Sequence, residues 1–286
     1  MLAFGEVLFD LINNDAHLGG ASLNVAAHFA KHGNEAFLIS AVGNDLLGEK
    51  VRQVVNSYGV NTSFIQENNH PTGIVNVTLS EQGQPSYDIV ENVAWDYIDI
   101  QEKDFKFIES CAWDCFYFGM LAQRSIHNQI TLDKLFQAAQ FPIIFFDVNL
   151  RKDYFNEELL RKSFKRCTIL KLNDEEVEVL SPLLFNASLT ISEFAERCAR
   201  EFSIAIVIVT LGANGAGFYS EGNYLQVPGV KVKVADTVGA GDSFSAAFLN
   251  TYLQGGTIED AVKAGCKLGA YVASKNGAVP EYRGNL

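Results

Sequence analysis

Positive charge is scarce in this chain. Its 22 lysines and arginines face 34 aspartates and glutamates, a net charge of −12 with a pI near 4.9. That balance argues against a nucleic acid or an anionic membrane surface as the main partner, although a local nest of amides can still receive an anionic ligand. Long apolar runs are missing too: the longest dense one, residues 204–211, is too short to cross a bilayer. The start of the chain has no basic leader or small-residue cleavage site. With an odd set of cysteines (Cys111, Cys115, Cys167, Cys198 and Cys266), this gives the expectation of a cytoplasmic protein with reduced thiols. Cys111 and Cys115 lie close together without a second pair at metal-ligand spacing, so they read as core packing rather than a zinc site. The five histidines are scattered, with no HExxH, and read as surface or locally bonded residues.

Familiar nucleotide motifs are absent as well. No GxxxxGK[ST] occurs, which argues against a P-loop enzyme. Residues 212–217 read GANGAG, which is not GxGxxG and falls late in the chain, so a dinucleotide dehydrogenase is disfavoured. The run Arg151-Lys152-Asp153 echoes a protein-kinase catalytic loop only faintly and has no DFG or glycine-loop partner.

What is present is an α/β rhythm. The 286 residues, 48% hydrophobic, suit one large α/β domain with a small appendage better than two independent domains. Strand and helix signals alternate, which predicts a mainly parallel sheet covered by helices on both faces. Residues 2–12 read as one buried strand, 21–31 and 46–58 as helices, and 37–42 as a strand between them. The rhythm breaks at 73–90, where alternation on either side of a turn at 81–85 predicts a β-hairpin. Such a hairpin fits poorly into a parallel sheet, so it projects as a lid or dimer ribbon unless it forms an antiparallel edge. Strands are then expected at 114–118, 143–148, 168–172 and 204–210, and helices at 125–140, 157–165, 174–180 and 191–202. A second hairpin at 217–227 and a last helix capped by Thr257 and running to about Ser274 complete the pattern.

Polar residues gather where strands end, which is where open α/β sheets bind ligands. Asp10 lies at the end of the first strand, and period two loads Glu6, Leu8 and Asp10 onto one face. Gly19-Gly20-Ala21-Ser22-Leu23-Asn24 opens a helix, and Asp147 to Arg151, Lys171 to Glu176 and Thr210 to Gly215 end later strands. Near the C-terminus stands Asp236-Thr237-Val238-Gly239-Ala240-Gly241-Asp242-Ser243, followed by an apolar helical run. Its glycines permit a tight turn whose amides point with the helix N-terminus, an anion site with a carboxylate at its mouth. That pairing makes sense where Asp242 accepts a proton while amides hold charge on a transferring group. A plain helix cap after a glycine turn is the other reading, and this stretch alone leaves both open.

Together, these residues resemble the ribokinase-like (PfkB) family of carbohydrate kinases over almost the full length. One signature is Gly19 to Ala26 leading to Gly43-Asn44-Asp45-Leu46-Leu47-Gly48; the other is Asp236 to Ser243. Bacterial fructokinase is the most similar branch, through Gly5 to Asp10, Pro71-Thr72-Gly73, Asn92 to Asp96, Gly119 to Arg124, Asp147 to Arg151 and Lys171 to Glu176. The resemblance implies a three-layer α/β/α ribokinase-like domain over 1–286, with a mainly parallel sheet and a small β lid from about 11–17 and 73–92. It implies transfer of the γ-phosphoryl group of Mg-ATP to a primary hydroxyl of a sugar, fructose first, with 2-keto-3-deoxygluconate kinase, ribokinase or a non-catalytic sugar or nucleotide sensor as alternatives.

The resemblance also assigns roles. Asp242 is the implied base, and the amides of Gly239, Ala240, Gly241 and Asp242 the implied anion hole. Arg151 lies near the phosphoryl group or sugar, and Asp10, Gly20 and Asn24 hold sugar hydroxyls. Asn173 and Glu176 form the family's NxxE element, which organises Mg²⁺ through water. Thr210, Gly212 and Gly215 border the nucleotide phosphates and ribose; Ala273 and Asn276 border adenine. Asp236 and the carbonyl of Val238 are matched to a monovalent cation such as K⁺, the alternative for Asp236 being a brace for the turn. The lid serves as a homodimer clasp in some members.

Overall fold

A computed structural model of the chain describes residues 1–12, 15–79 and 85–282. The elements run β1 (Leu2–Phe4), β2 (Leu8–Ile12), β3 (Asp15–Gly19), α1 (Ala21–Lys31), β4 (Phe37–Gly43), α2 (Leu46–Ser57), β5 (Ile65–Asn68), β6 (Gly73–Leu79) and β7 (Pro85–Ile89). They continue with α3 (Glu102–Ser110), β8 (Cys115–Gly119), α4 (Ile126–Ala138), β9 (Ile143–Asp147), α5 (Glu157–Phe164), β10 (Ile169–Asn173), α6 (Asp174–Phe185) and α7 (Ile191–Phe202). The last are β11 (Ile206–Thr210), β12 (Ala216–Ser220), β13 (Asn223–Val227), α8 (Ala240–Leu253) and α9 (Ile258–Ala273). Among the described residues no helix is long and apolar enough to cross a membrane.

The large sheet has the order β13-β12-β11-β10-β9-β8-β1-β4-β5. Every pairing from β11 to β5 is parallel, and β12 and β13 add an antiparallel edge. Period-two alternation divides its side chains between two cores. Leu2, Phe4, Phe116, Phe118, Phe146, Leu170 and Leu172 join the core under α3 to α7. Ala3, Cys115, Tyr117, Phe145, Ile169 and Ile208 join the core under α1, α2, α8 and α9. The mainly parallel, doubly covered sheet is thus as expected. From β1 the chain steps one way to β4 and β5, and from β8 the other way to β11. The switch point therefore lies between β1 and β8, the crevice where such sheets bind ligands.

The single strand expected at 2–12 is in fact two. Gly5 breaks it because a Cβ there would stand 2.1 Å from the Ser22 hydroxyl, so the backbone has to pass close to α1. After the break, β2 leaves the main sheet and pairs with β3 and β6. The four strands β3-β2-β6-β7 form a second, separate sheet, so the hairpin of β6 and β7 is not an edge of the main one. Turn residues 81–84 lie outside the described residues, and Pro85 already belongs to β7. Helix α6 runs past its expected end at 180 to Phe185, while α3 and β5 had no counterpart in the sequence reading.

The histidines also needed tertiary structure. His28 on α1 and His32, the residue that caps its C-terminal end, both meet the ring of Tyr282. His28 is fully buried: Nδ1 shares a hydrogen bond with the Tyr282 hydroxyl at 2.6 Å and Nε2 one with the Ala278 carbonyl at 2.9 Å. It straps the C-terminal segment onto α1. Burial pushes the imidazole from 6.5 down to about 4, against a smaller upward pull from the Ala278 carbonyl. Between those values the unfolded chain takes up a proton that the folded chain refuses, so stability falls as pH drops. Wild type is expected to lose about 3 kcal/mol more than His28→Gln between pH 7 and pH 4, read by urea unfolding. Equal losses would remove His28 as the source.

Candidate active site

The site grows from the start of α8. Gly239 is its N-cap, with φ +76°, and a Cβ there would stand 2.5 Å from the Ala278 carbonyl, so the turn requires glycine on both counts. The Ala240 N–H donates to the Thr237 carbonyl at 3.2 Å and the Ser243 N–H to the Gly239 carbonyl at 2.8 Å. Among the described residues no carbonyl takes the N–H groups of Gly241 or Asp242. Those are the free donors a helix start leaves; Ala240, expected with them, is already engaged.

Asp242 sits in the first turn of α8. Its Oδ2 accepts a hydrogen bond from Asn24 Nδ2 at 2.7 Å, joining α1 to α8. Among the described residues Asn24 Oδ1 is buried with no hydrogen-bond partner. Burial raises the Asp242 carboxyl from 3.8 to about 6; Asn24 lowers it, the Asp147 charge raises it, and Lys171 and Arg151 lower it.

Beneath the turn lies a buried ion pair. Lys171 in β10 and Asp147 in β9 are register partners in the sheet, and Lys171 Nζ stands 2.9 and 3.1 Å from the two Asp147 oxygens. Their side chains are 8% and 1% exposed. Burial disfavours the Lys171 charge, yet Asp147 outweighs it and leaves the ammonium with a raised proton affinity. Asp147 also accepts from the hydroxyls of Tyr117 and Ser245, each at 3.3 Å. A Cβ on Gly241 would stand 3.0 Å from Lys171 Nζ, so the ammonium lies directly under the amide turn. In the sequence Lys171 stands in a polar strand end and a fructokinase-like run, neither of which gives it a role.

Asp10 and Gly20 come to the same place by another route. Asp10 lies in β2 of the second sheet, opposite His17 in β3. Burial raises its carboxyl, with His17 and Arg151 lowering it and Asp236 raising it. Gly20 caps α1 without a side-chain hydrogen bond. The exposed Arg151 donates to the Leu150 carbonyl at 3.0 Å, and its charge is felt by Glu6, Asp10 and Asp242 alike.

Asn173 and Glu176 form a reciprocal capping box at the start of α6: Glu176 N–H donates to Asn173 Oδ1 and Asn173 N–H to Glu176 Oε2, both at 2.8 Å. Glu176 Oε1 accepts the Leu150 N–H at 2.6 Å, fixing the residue next to Arg151. Each oxygen keeps further lone pairs, so contact with a cation through water fits. Among the described residues no group of three or more His, Cys, Asp and Glu side chains gathers around one point. That is compatible with magnesium, which is often held by one or two carboxylates and substrate phosphates.

Thr210 pairs in register with Asn173. Gly212 and Gly215, with φ +54° and +98°, shape the turn after β11. The Ala273 carbonyl accepts the N–H groups of Ala235 and Asp236 at 2.8 and 3.2 Å, bringing the end of α9 to the glycine turn. Among the described residues Asn276 makes no hydrogen bond to Ala235, Asp236 or Ala273. Asp236 braces the turn, its oxygens accepting from Val238 N–H at 3.0 Å and Gly277 N–H at 3.1 Å.

The profile of the family described as pfkB family carbohydrate kinase matches residues 4–282. A fructokinase of Escherichia coli is 27% identical over 268 residues, which cover 86% of this chain and 81% of that protein. An uncharacterized sugar kinase of Pyrococcus horikoshii, solved in complex with ATP, superimposes with a TM-score of 0.81 at 27% identity, over 99% of this chain and 95% of that one. A fructokinase with bound ATP from Xylella fastidiosa shares the fold, with a TM-score of 0.84 at 23% identity over 98% and 93% of the two chains.

Proposed function

The chain belongs to the pfkB family of carbohydrate kinases, and from that premise we propose that it transfers the γ-phosphoryl group of ATP to a primary hydroxyl of fructose, giving fructose 6-phosphate. The observation that carries this reading is the placement of Asp242: held by Asn24, raised to about 6, and next to the free Gly241 and Asp242 amides. A fructokinase relative supports the choice of sugar.

In the proposed mechanism Asp10, Gly20 and Asn24 hold the sugar. Among the described residues no hydrogen bond reaches Asp242 Oδ1, which leaves it to take the hydroxyl proton. The sugar oxygen bonds to the γ-phosphorus as the bond to the leaving ADP oxygen breaks, and the proton passes to Asp242. Amides of Gly239, Gly241 and Asp242, the Lys171 ammonium beneath them and Arg151 offset the charge on the transferring group. Thr210, Gly212 and Gly215 border the nucleotide phosphates and ribose, with Ala273 and Asn276 beside the base. Glu176, through water, and Asn173 would hold magnesium, which would supply neutralisation of the phosphate charge. The Val238 carbonyl, with Asp236 as its brace, is the place for a monovalent cation such as K⁺. The second sheet serves as the lid that excludes water and as a dimer clasp.

The test is phosphoryl transfer from Mg-ATP across fructose, ribose, a nucleoside and 2-keto-3-deoxygluconate. Fructose is expected to have the highest kcat/KM; preference for another acceptor overturns the sugar, and transfer to none overturns the kinase. Because Asp242 must be ionised to accept a proton, kcat is expected to fall about tenfold per pH unit well below about 6. A flat profile down to pH 4.5 would remove Asp242 as the base.

A further inference from the structure

Glu6 is a buried carboxylate that the proposed mechanism does not use. It lies between β1 and β2, at the switch point of the sheet, and is 4% exposed. Its Oε1 accepts the Ala21 N–H at 2.9 Å. Ala21 is the first residue of α1, whose N-cap, Gly20, offers no side chain. Glu6 therefore satisfies, from a distant part of the chain, one of the donors that a helix start leaves free. The docking is close throughout: a Cβ on Gly20 would stand 2.4 Å from the Glu6 carbonyl oxygen, and the Ser22 hydroxyl donates to the Phe4 carbonyl at 3.0 Å. One turn along the same helix, Asn24 donates to Asp242.

Capping alone does not call for a charge. A buried carboxylate is costly where a neutral oxygen would accept the same N–H. Charged and ionisable groups around it are Asp242 on α8 and Arg151 after β9, whose charges act on it, and Tyr117 on β8, on which its charge acts. We propose that Glu6 is a positioning residue for Asp242: it holds the first turn of α1 so that Asn24 meets the carboxylate, and it lies within the field of the Asp242 charge. The inference rests on the reading of Asp242 as the base. In support, burial raises the Glu6 carboxyl to about 7, backbone hydrogen bonds pull it down, Asp242 pushes it up and Arg151 pulls it down. Repulsion between the two carboxylates is mutual, so they titrate as a pair, Asp242 first and Glu6 above it.

Glu6→Ala is expected to lower kcat about 10–100-fold while changing the KM for ATP little, as loss of an orienting partner does. Glu6→Gln, which can still accept the Ala21 N–H, should recover most of that loss. The Asp242 carboxyl carbon, followed by ¹³C NMR, should show in wild type a main titration near 6 and a second inflection near 7 as Glu6 ionises. In Glu6→Gln only the lower one should remain. A scaffold role alone would give the wild-type Asp242 a single inflection, and that result, or a second inflection that persists in Glu6→Gln and so arises elsewhere, overturns the coupling. A Glu6→Ala enzyme with wild-type kcat overturns the positioning. The NMR titration needs no turnover, so it reads Glu6 even where the sugar panel fails, whereas loss of the kinase reading would show as absent phosphoryl transfer in wild type.

Discussion

Asp242→Asn is expected to lower kcat by about 10²–10⁴-fold, the usual contribution of a general base, while leaving KM for ATP and sugar nearly unchanged. An asparagine oxygen at this position can still accept from Asn24 Nδ2, so the α1–α8 contact survives. The same substitution is expected to stabilise the protein at pH 7. In the folded chain burial holds the Asp242 carboxyl near 6, well above its ordinary 3.8, so ionising it at neutral pH works against folding. That opposition is absent below pH 3.8, grows as pH rises towards 6 and is constant above it. Removing it should add about 2–3 kcal/mol at pH 7, read by urea unfolding of both proteins. A catalytic site that gives up stability for reactivity has this signature. Near-normal turnover would remove Asp242 from the mechanism, and a loss of stability would mean that its hydrogen bonds outweigh its burial.

Lys171→Met is expected to destabilise the fold by about 3–5 kcal/mol, because it strands a buried carboxylate. Asp147 would retain only the two longer hydroxyl contacts from Tyr117 and Ser245. Adding Asp147→Asn removes the stranded charge, so the double variant should regain most of the loss, since a pair replaced together is often nearly neutral. Turnover should not return with it, because the ammonium under Gly241 is then still missing. Urea unfolding and kcat on the same three proteins separate the two effects. A loss below about 1 kcal/mol in Lys171→Met would assign the pair no structural weight. Recovery of turnover in the double variant would assign the ammonium no part in transfer.

These two residues differ in how far the amino-acid order betrays them. Asp242 stands in a glycine turn before an apolar helix, which short-range chemistry narrows to an anion site with a carboxylate or a plain helix cap. Helices α1 and α7 are legible for the same local reason: their apolar spacing is helical, and Thr190 and Glu193 form a capping box. In contrast, α3 is short with one buried residue, and β5 is a four-residue edge strand. Neither buries enough of itself to leave a periodic trace.

What the sequence determined by itself was the alternation of strand and helix, the polar strand ends and the two glycine signatures, because each depends on residues close together in the chain. Only the tertiary structure decided where residues 2–12 divide, since Gly5 is required by the approach of Ser22 from α1. It also decided that Lys171 faces Asp147, which depends on the β9–β10 register. It placed Glu6 on the first turn of α1, and Glu176 on the Leu150 N–H. Burial converts these residues from solvated charges into groups that need partners, and burial arises only when distant segments pack.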